Sequence, residues 1–254
     1  MGRFDNRVAI VTGGARGIGK ATAEKITIEG GTVIIADILE DEVNEFEGQL
    51  LSSGRKGLGL RTDVSNAREV DLMVKETIER YGRIDILVNN AGVVRPSPFE
   101  EVTEEDWDKA VGLNLKGSYY CSRAVVPFMK KNHYGKIINM GSRVSLGKVD
   151  RTVYSSTKAG LIGLTKTMAL ELASYNINVN YVGPGPIETE LFTKANPPDS
   201  EKTIAIVSSI PLKRMGQPED VANLVAFLGS DEASFITGQS IYICGGMTIG
   251  KASA

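Results

Sequence analysis

Histidine is almost missing from this chain: His133 stands alone among 254 residues. A His-rich metal site is thereby excluded, no Cys/His ligand spacing occurs, and no metal is expected. A histidine-dependent triad would have to rely on His133 alone. Cysteine is scarce too, with Cys121 in a helical pattern and Cys244, far away, in a strand pattern. Free thiols in a reducing compartment fit that usage better than a disulfide framework. No run of about 18 apolar residues exists to span a bilayer, and no charged start leads into an apolar signal segment. A cytoplasmic protein with no membrane partner is the expectation. Charge of one sign is also lacking: 29 basic residues face 31 acidic ones, for a formal net charge of -2. Such a balance creates no field that would draw nucleic acid. What is present is a hydrophobic content of 42%, enough for a sizeable core. With no repeat, low-complexity segment or linker, residues 1–254 read as a single domain.

The chain alternates short apolar runs with helical patterns. Residues 7–12 suit a fully buried strand, which breaks at Gly13-Gly14-Ala15-Arg16-Gly17-Ile18-Gly19 before a helix over 20–29 and a second strand over 32–37. Glycines at a strand–helix junction let a diphosphate approach the backbone where amides and helix dipole both favour negative charge. The spacing Gly13-x-x-x-Gly17-x-Gly19 is wider than the G-x-G-x-x-G dinucleotide fingerprint. Asp37, ending the second strand, can accept hydrogen bonds from an adenosine ribose and would repel a 2′-phosphate, so NAD is favoured over NADP. Arg16 is the complication, since a guanidinium in the glycine turn could meet that phosphate.

Further on, helical patterns cover 40–53 and 67–81, with Ser65 as N-cap of the second and Gly82 as its stop. Strands are expected over 57–61, 84–88, 136–140, 177–182 and 240–244, and a helix capped by Thr103 over the stretch past Trp107 and Asn114 to about 131. Residues 190–213, with Pro197-Pro198 and no long regular pattern, suit a mobile lid over substrate, and a short helix covers 219–228. Seven strands interleaved with helices make an α/β fold.

Around the middle lies Val153-Tyr154-Ser155-Ser156-Thr157-Lys158, and no proline interrupts residues 152–174. One helix would put Tyr154 and Lys158 four apart on a shared face. An ammonium beside a phenol favours its anion, drawing the pKa below its usual value of about 10 and making Tyr154 a candidate general acid/base. Ser142 falls at the C-terminal end of the fifth strand, the side on which doubly wound sheets hold ligands. Arg95, Arg143 and Arg151 come from two loops near the expected substrate mouth, where one could pair with a substrate anion. Leu146, Val149, Leu191 and Phe192, with Met140, are candidates for an apolar part of the same pocket.

Thr12-Gly13-x-x-x-Gly17-x-Gly19, Asn89-Asn90-Ala91-Gly92, Ser142, Tyr154-x-x-x-Lys158 and Pro184-Gly185, in this order, resemble the short-chain dehydrogenase/reductase family over nearly the whole chain. The resemblance implies a Rossmann-like, doubly wound, seven-stranded parallel sheet with helices on both faces, and hydride transfer between a nicotinamide and a carbinol carbon. It implies a catalytic set: Tyr154 exchanging the proton, Lys158 binding the nicotinamide ribose and lowering the tyrosine pKa, Ser142 steadying the substrate oxygen, and Asn114 positioning a relay water. It places Gly13, Gly17, Ile18 and Gly19 around the diphosphate, Asp63 and Val64 beside adenine, and Asn90 and Gly92 near the adjacent ribose. Ile187 and Thr189 match positions that hold the carboxamide, with Pro184 in the same cofactor site. The loop from Ser142 to Tyr154 is one residue shorter than is usual there, Ser145 replaces a frequent glycine, and Asn178 a common arginine. The activity implied is NAD-dependent interconversion of a small-molecule secondary alcohol and its ketone by a homo-oligomer, often a tetramer. The runner-up is an NADPH-dependent carbonyl or 3-oxoacyl-thioester reductase, suggested by Arg16. The alternative of another class is a catalytically silent nucleotide-binding sensor.

Overall fold

In the computed structural model, which describes residues 2–197 and 199–249 and leaves out the side chains of Leu191 and Ala195, seven parallel strands form one sheet. They are β1 (Val8–Thr12), β2 (Thr32–Asp37), β3 (Lys56–Arg61), β4 (Ile86–Asn89), β5 (Gly135–Met140), β6 (Ile177–Pro184) and β7 (Ser240–Ile243), in the order β3-β2-β1-β4-β5-β6-β7. The order reverses between β1 and β4, so the crevice that holds ligands in open α/β sheets opens beyond the carboxyl ends of these two strands.

The central strands β1, β2 and β4 are largely apolar on both faces because helices cover both. Ala9 and Val11 of β1 face one core layer, packed against α1 (Gly17–Ile28), α2 (Glu40–Ser52) and α9 (Pro218–Leu228). Val8 and Ile10 face the other, under α3 (Ala67–Tyr81), α5 (Ser118–Asn132) and α6 (Thr152–Leu172). Each layer buries Val, Ile and Leu side chains, and the first also Phe4 and Phe46, worth roughly 1.5–3 kcal/mol apiece. No described helix is long and apolar enough to cross a membrane.

Local departures from the sequence reading have physical causes. Helix α1 starts at Gly17, within the glycine turn, because the turn itself winds into the first helical residues. The N-cap of α3 is Asn66, whose side chain accepts from the Arg68 amide; Ser65 instead donates to Asp63 Oδ1 at 2.7 Å. The helix expected from Thr103 to about 131 is α4 (Glu104–Ala110), a π-helical turn over Val111–Gly117, and α5. Residues 190–213 hold two helices, α7 (Glu190–Ala195) and α8 (Glu201–Ser209), capped by Thr189 and Ser200. Short helices with few apolar repeats leave little periodicity to read.

Candidate active site

The site begins with β1 running into a turn whose Gly13 and Gly19 leave no room for a side chain. A Cβ on Gly19 would lie 2.0 Å from the Gly13 carbonyl oxygen, and Gly13 and Gly17 hold φ of 60° and 51°. Asn90 stitches the turn to β4: its Nδ2 donates to the carbonyls of Thr12 (3.0 Å) and Gly13 (2.9 Å). The Thr12 hydroxyl oxygen in turn accepts the amides of Asn90 (3.0 Å) and Ala91 (3.1 Å). Asn90 therefore spends its amide shaping the cradle. Arg16, the N-cap of α1, makes no side-chain cap, and the Lys20 amide is the one that reaches back to the Arg16 carbonyl. The amides of Gly17, Ile18 and Gly19 are thus first-turn donors left without an intrahelical partner, a set that suits an anion such as a diphosphate.

This turn lines a cleft of about 450 Å³ shared with Asp37, Thr62, Val64 and Leu113. Asp37 is oriented by two amides, Ala15 (3.2 Å) and Leu39 (3.3 Å). Arg16 forms an ion pair with Glu42. Asp63 turns its Oδ1 to the Ser65 amide and hydroxyl, and it is Thr62, with Val64, that lines the cleft. The donors, the carboxylate and the apolar slot fit a nicotinamide dinucleotide.

Next to it, sharing Ile18, Asn90, Gly92 and Thr189 as a common wall, opens a second cleft of about 690 Å³ that contains Ser142, Tyr154 and Lys158. Lys158 is buried, and its Nζ donates to the Met140 carbonyl at 2.7 Å. Burial brings its pKa down to about 8. The ammonium sits 5.6 Å from the centre of the Tyr154 ring. Tyr154 itself departs from the sequence expectation: its pKa is raised, not lowered. Burial outweighs the opposing pull of the Ser142 hydroxyl and the Arg151 guanidinium.

Asn114, fully buried in the π-helical turn, grips the Val93 backbone at both ends, accepting its amide at 2.8 Å and donating to its carbonyl at 2.9 Å. A further bond reaches Thr157 Oγ1 on α6 at 3.2 Å. Its carboxamide braces the Gly92–Val93 stretch against the Lys158 helix. A π-bulge is a frequent mark of functional sites, and here it turns an amide inward from a helix.

Behind Ser142 stands Tyr181, which the sequence did not single out. Its hydroxyl accepts the Ser142 amide and donates to the Ser142 carbonyl, both at 2.9 Å. A Cβ on Gly141 would lie 1.8 Å from this ring, so the glycine and the tyrosine require each other. Burial pushes the Tyr181 phenol up to about 12, keeping it a donor. Ser145 contacts the Tyr242 hydroxyl at 3.0 Å, and Asn178 accepts from buried Lys136 at 2.5 Å.

Of the substrate candidates, Arg143, Arg151 and Phe192 line the larger cleft, as do Pro184, Ile187 and Met140. Arg95 pairs with Asp106 at 3.7 Å outside it, while Leu146 and Val149 project into solvent, 61% and 83% exposed. The side chain of Leu191 lies outside the described residues. Lys148 and Lys202 line the cleft but carry no sequence pattern that marks them.

The family model described as enoyl-(acyl carrier protein) reductase matches residues 13–248. The chain is 42% identical over 248 residues to a 3-oxoacyl-[acyl-carrier-protein] reductase FabG of Thermotoga maritima, covering 97% of this chain and 100% of the relative. It is 41% identical over 246 residues to the (2S)-[(R)-hydroxy(phenyl)methyl]succinyl-CoA dehydrogenase subunit BbsD of Thauera aromatica, covering 97% and 98%. The crystal structure of levodione reductase superposes with a TM-score of 0.92 at 31% identity, covering 97% of this chain and 99% of that one. A glycine turn under a parallel sheet and a tyrosine–lysine helix over its carboxyl end are thus matched by full-length kinship, and the chain belongs to the short-chain dehydrogenase/reductase family of oxidoreductases acting on CH–OH and ketone groups.

Proposed function

We propose that the protein interconverts a secondary alcohol and a ketone with NAD(H). One observation supports this above others: Tyr154, Ser142 and Lys158 converge on a cleft that shares a wall with the dinucleotide cradle. In reduction, Tyr154 gives its phenolic proton to the ketone oxygen while the Ser142 hydroxyl holds that oxygen; in oxidation the proton returns. Lys158 stabilises the phenolate left behind, and Asn114 braces the backbone beside it. Pro184, Ile187 and Thr189 flank the nicotinamide end, and Gly13, Gly17, Ile18 and Gly19 the diphosphate. The nicotinamide, when bound, supplies or accepts the hydride. The protein contributes proximity and preorganised charge.

NAD is the preferred cofactor in this reading because Asp37 is held at the ribose end and Glu42 already occupies Arg16. A 2′-phosphate would meet two carboxylates. The second reading, an NADPH-dependent 3-oxoacyl-thioester reductase, draws on the relatives of that name and on Arg16. Initial rates on a panel of alcohols, ketones and acyl thioesters, followed by reduced-nicotinamide absorbance with NADH and with NADPH, separate the two. The first reading expects at least tenfold higher kcat/KM with NADH; the reverse preference overturns it.

Helices α7 and α8 act as the cover of the substrate cleft, and the chain works as a homotetramer. Exposed Trp107, Tyr119 and Leu170 on α4, α5 and α6 supply apolar surface for such contacts.

A further inference from the structure

The larger cleft is cationic on opposing walls. Arg143 follows Ser142 directly, Lys148 lies in the loop that succeeds it, Arg151 immediately precedes α6, and Lys202 faces them from α8. No Asp or Glu lines this cleft among the described residues. Several arginines outside the cleft are neutralised: Arg16 pairs with Glu42, Arg95 with Asp106 and Arg214 with Asp220. None of the four cleft cations has a carboxylate within ion-pair distance among the described residues.

The four also feel one another. Lys148 holds its proton less firmly than an ordinary lysine, through partial desolvation first and then through Arg151, Arg143 and Lys202. Like charges assembled without counter-ions are unfavourable, and a bound anion removes that penalty. The position of the charge matters as much as its sign. Arg143 is bonded to the residue that steadies the reacting oxygen, and the Arg151 charge reaches the Tyr154 phenol. An anion held there sits near the carbon that changes oxidation state. The phosphates of a thioester carrier, at the far end of a long flexible arm, do not meet that requirement.

We infer that this cleft selects a compact oxo or hydroxy acid, its carboxylate a few bonds from the reacting carbon and held by Arg143 and Arg151, with Lys148 and Lys202 completing the anion site. The inference names the substrate class of the alcohol–ketone reading and rests on that reading.

The test compares acetoacetate with methyl acetoacetate, its neutral counterpart, and with acetoacetyl-CoA, using the full chain and NADH. The acid is expected to have the highest kcat/KM of the three. Arg143→Gln and Arg151→Gln should each lower the acid-to-ester ratio about ten- to a hundredfold, the range for a charge-assisted hydrogen bond. Arg95→Gln, outside the cleft, should leave the ratio alone. A binding readout stands apart from turnover: acetoacetate, not the ester, should raise the melting temperature of the NADH complex of Tyr154→Phe. Equal turnover of acid and ester, or a ratio unmoved by both cleft arginines, overturns the anion site and leaves the oxidoreductase reading intact. Preference for acetoacetyl-CoA with an unmoved ratio does the same. No turnover of any probe, with no melting shift from acetoacetate, overturns both.

Discussion

Lys158 and Tyr154 are held in opposite protonation moods by the same cause. Burial draws the lysine down to about 8 and pushes the tyrosine up. The sign for the reaction follows. In the proposed mechanism, Lys158 is cationic below about pH 8 and steadies the phenolate that reduction would leave behind; above it that support is lost, while the raised pKa keeps the phenol protonated. Ketone reduction should therefore decline as pH rises through about 8, and Lys158→Met should flatten that limb and lower kcat by roughly 10²-fold or more, read from kcat–pH profiles. The pairing of these two residues was legible from their spacing, because i and i+4 on any helix meet. The direction of the tyrosine shift was not, because spacing carries no information about how deeply a group is buried. Tyr181 was hidden for the same reason: one aromatic in an apolar strand reads as core until its hydroxyl is seen on both polar atoms of Ser142's backbone. Tyr181→Phe leaves those two groups unpaired and should cost about 1–3 kcal/mol of stability, measured by urea unfolding.

Strands were the easiest elements to read, since β1, β2 and β4 are short, nearly continuous apolar runs, as parallel strands buried on both faces must be. Helix ends were harder. Ser65 and Asn66 are both competent caps, and the choice went to Asn66 because Asp63 engages Ser65. The π-turn around Asn114 could not be read from periodicity, as one extra residue in a turn barely disturbs it; the polar interruption of an apolar face was its only trace. The glycine turn showed its chemistry through spacing, and its sterics make a direct prediction. Gly19→Ala drives a methyl group into the Gly13 carbonyl and Asn90. NADH affinity, read by fluorescence titration, should fall at least tenfold in a chain whose circular dichroism is retained. Undiminished affinity would remove the turn from the cofactor site.

Across the chain as a unit, alternation of strand and helix implied an α/β fold, and the family resemblance implied the doubly wound sheet that the strand order β3-β2-β1-β4-β5-β6-β7 shows. What alternation does not reveal is which distant loops share a cleft. Lys148 and Lys202 stand more than fifty positions apart, on a loop and on α8, and they meet only at the cleft that both line. Sequence proximity to Ser142 and Tyr154 pointed to Arg143 and Arg151, yet it pointed equally to Leu146 and Val149, which face water. Assembly belongs to the same level of organisation. Static light scattering should return four times the 27.3 kDa chain mass; a monomer at micromolar concentration would count against the α4, α5 and α6 faces as contacts. The proposed chemistry rests on the phenol of Tyr154 as the proton-transferring group. The most direct measurement is kcat of Tyr154→Phe with NADH binding monitored in parallel. Turnover should fall by about 10²–10⁴-fold with cofactor affinity retained, whereas near-wild-type turnover in the loaded variant would contradict the mechanism.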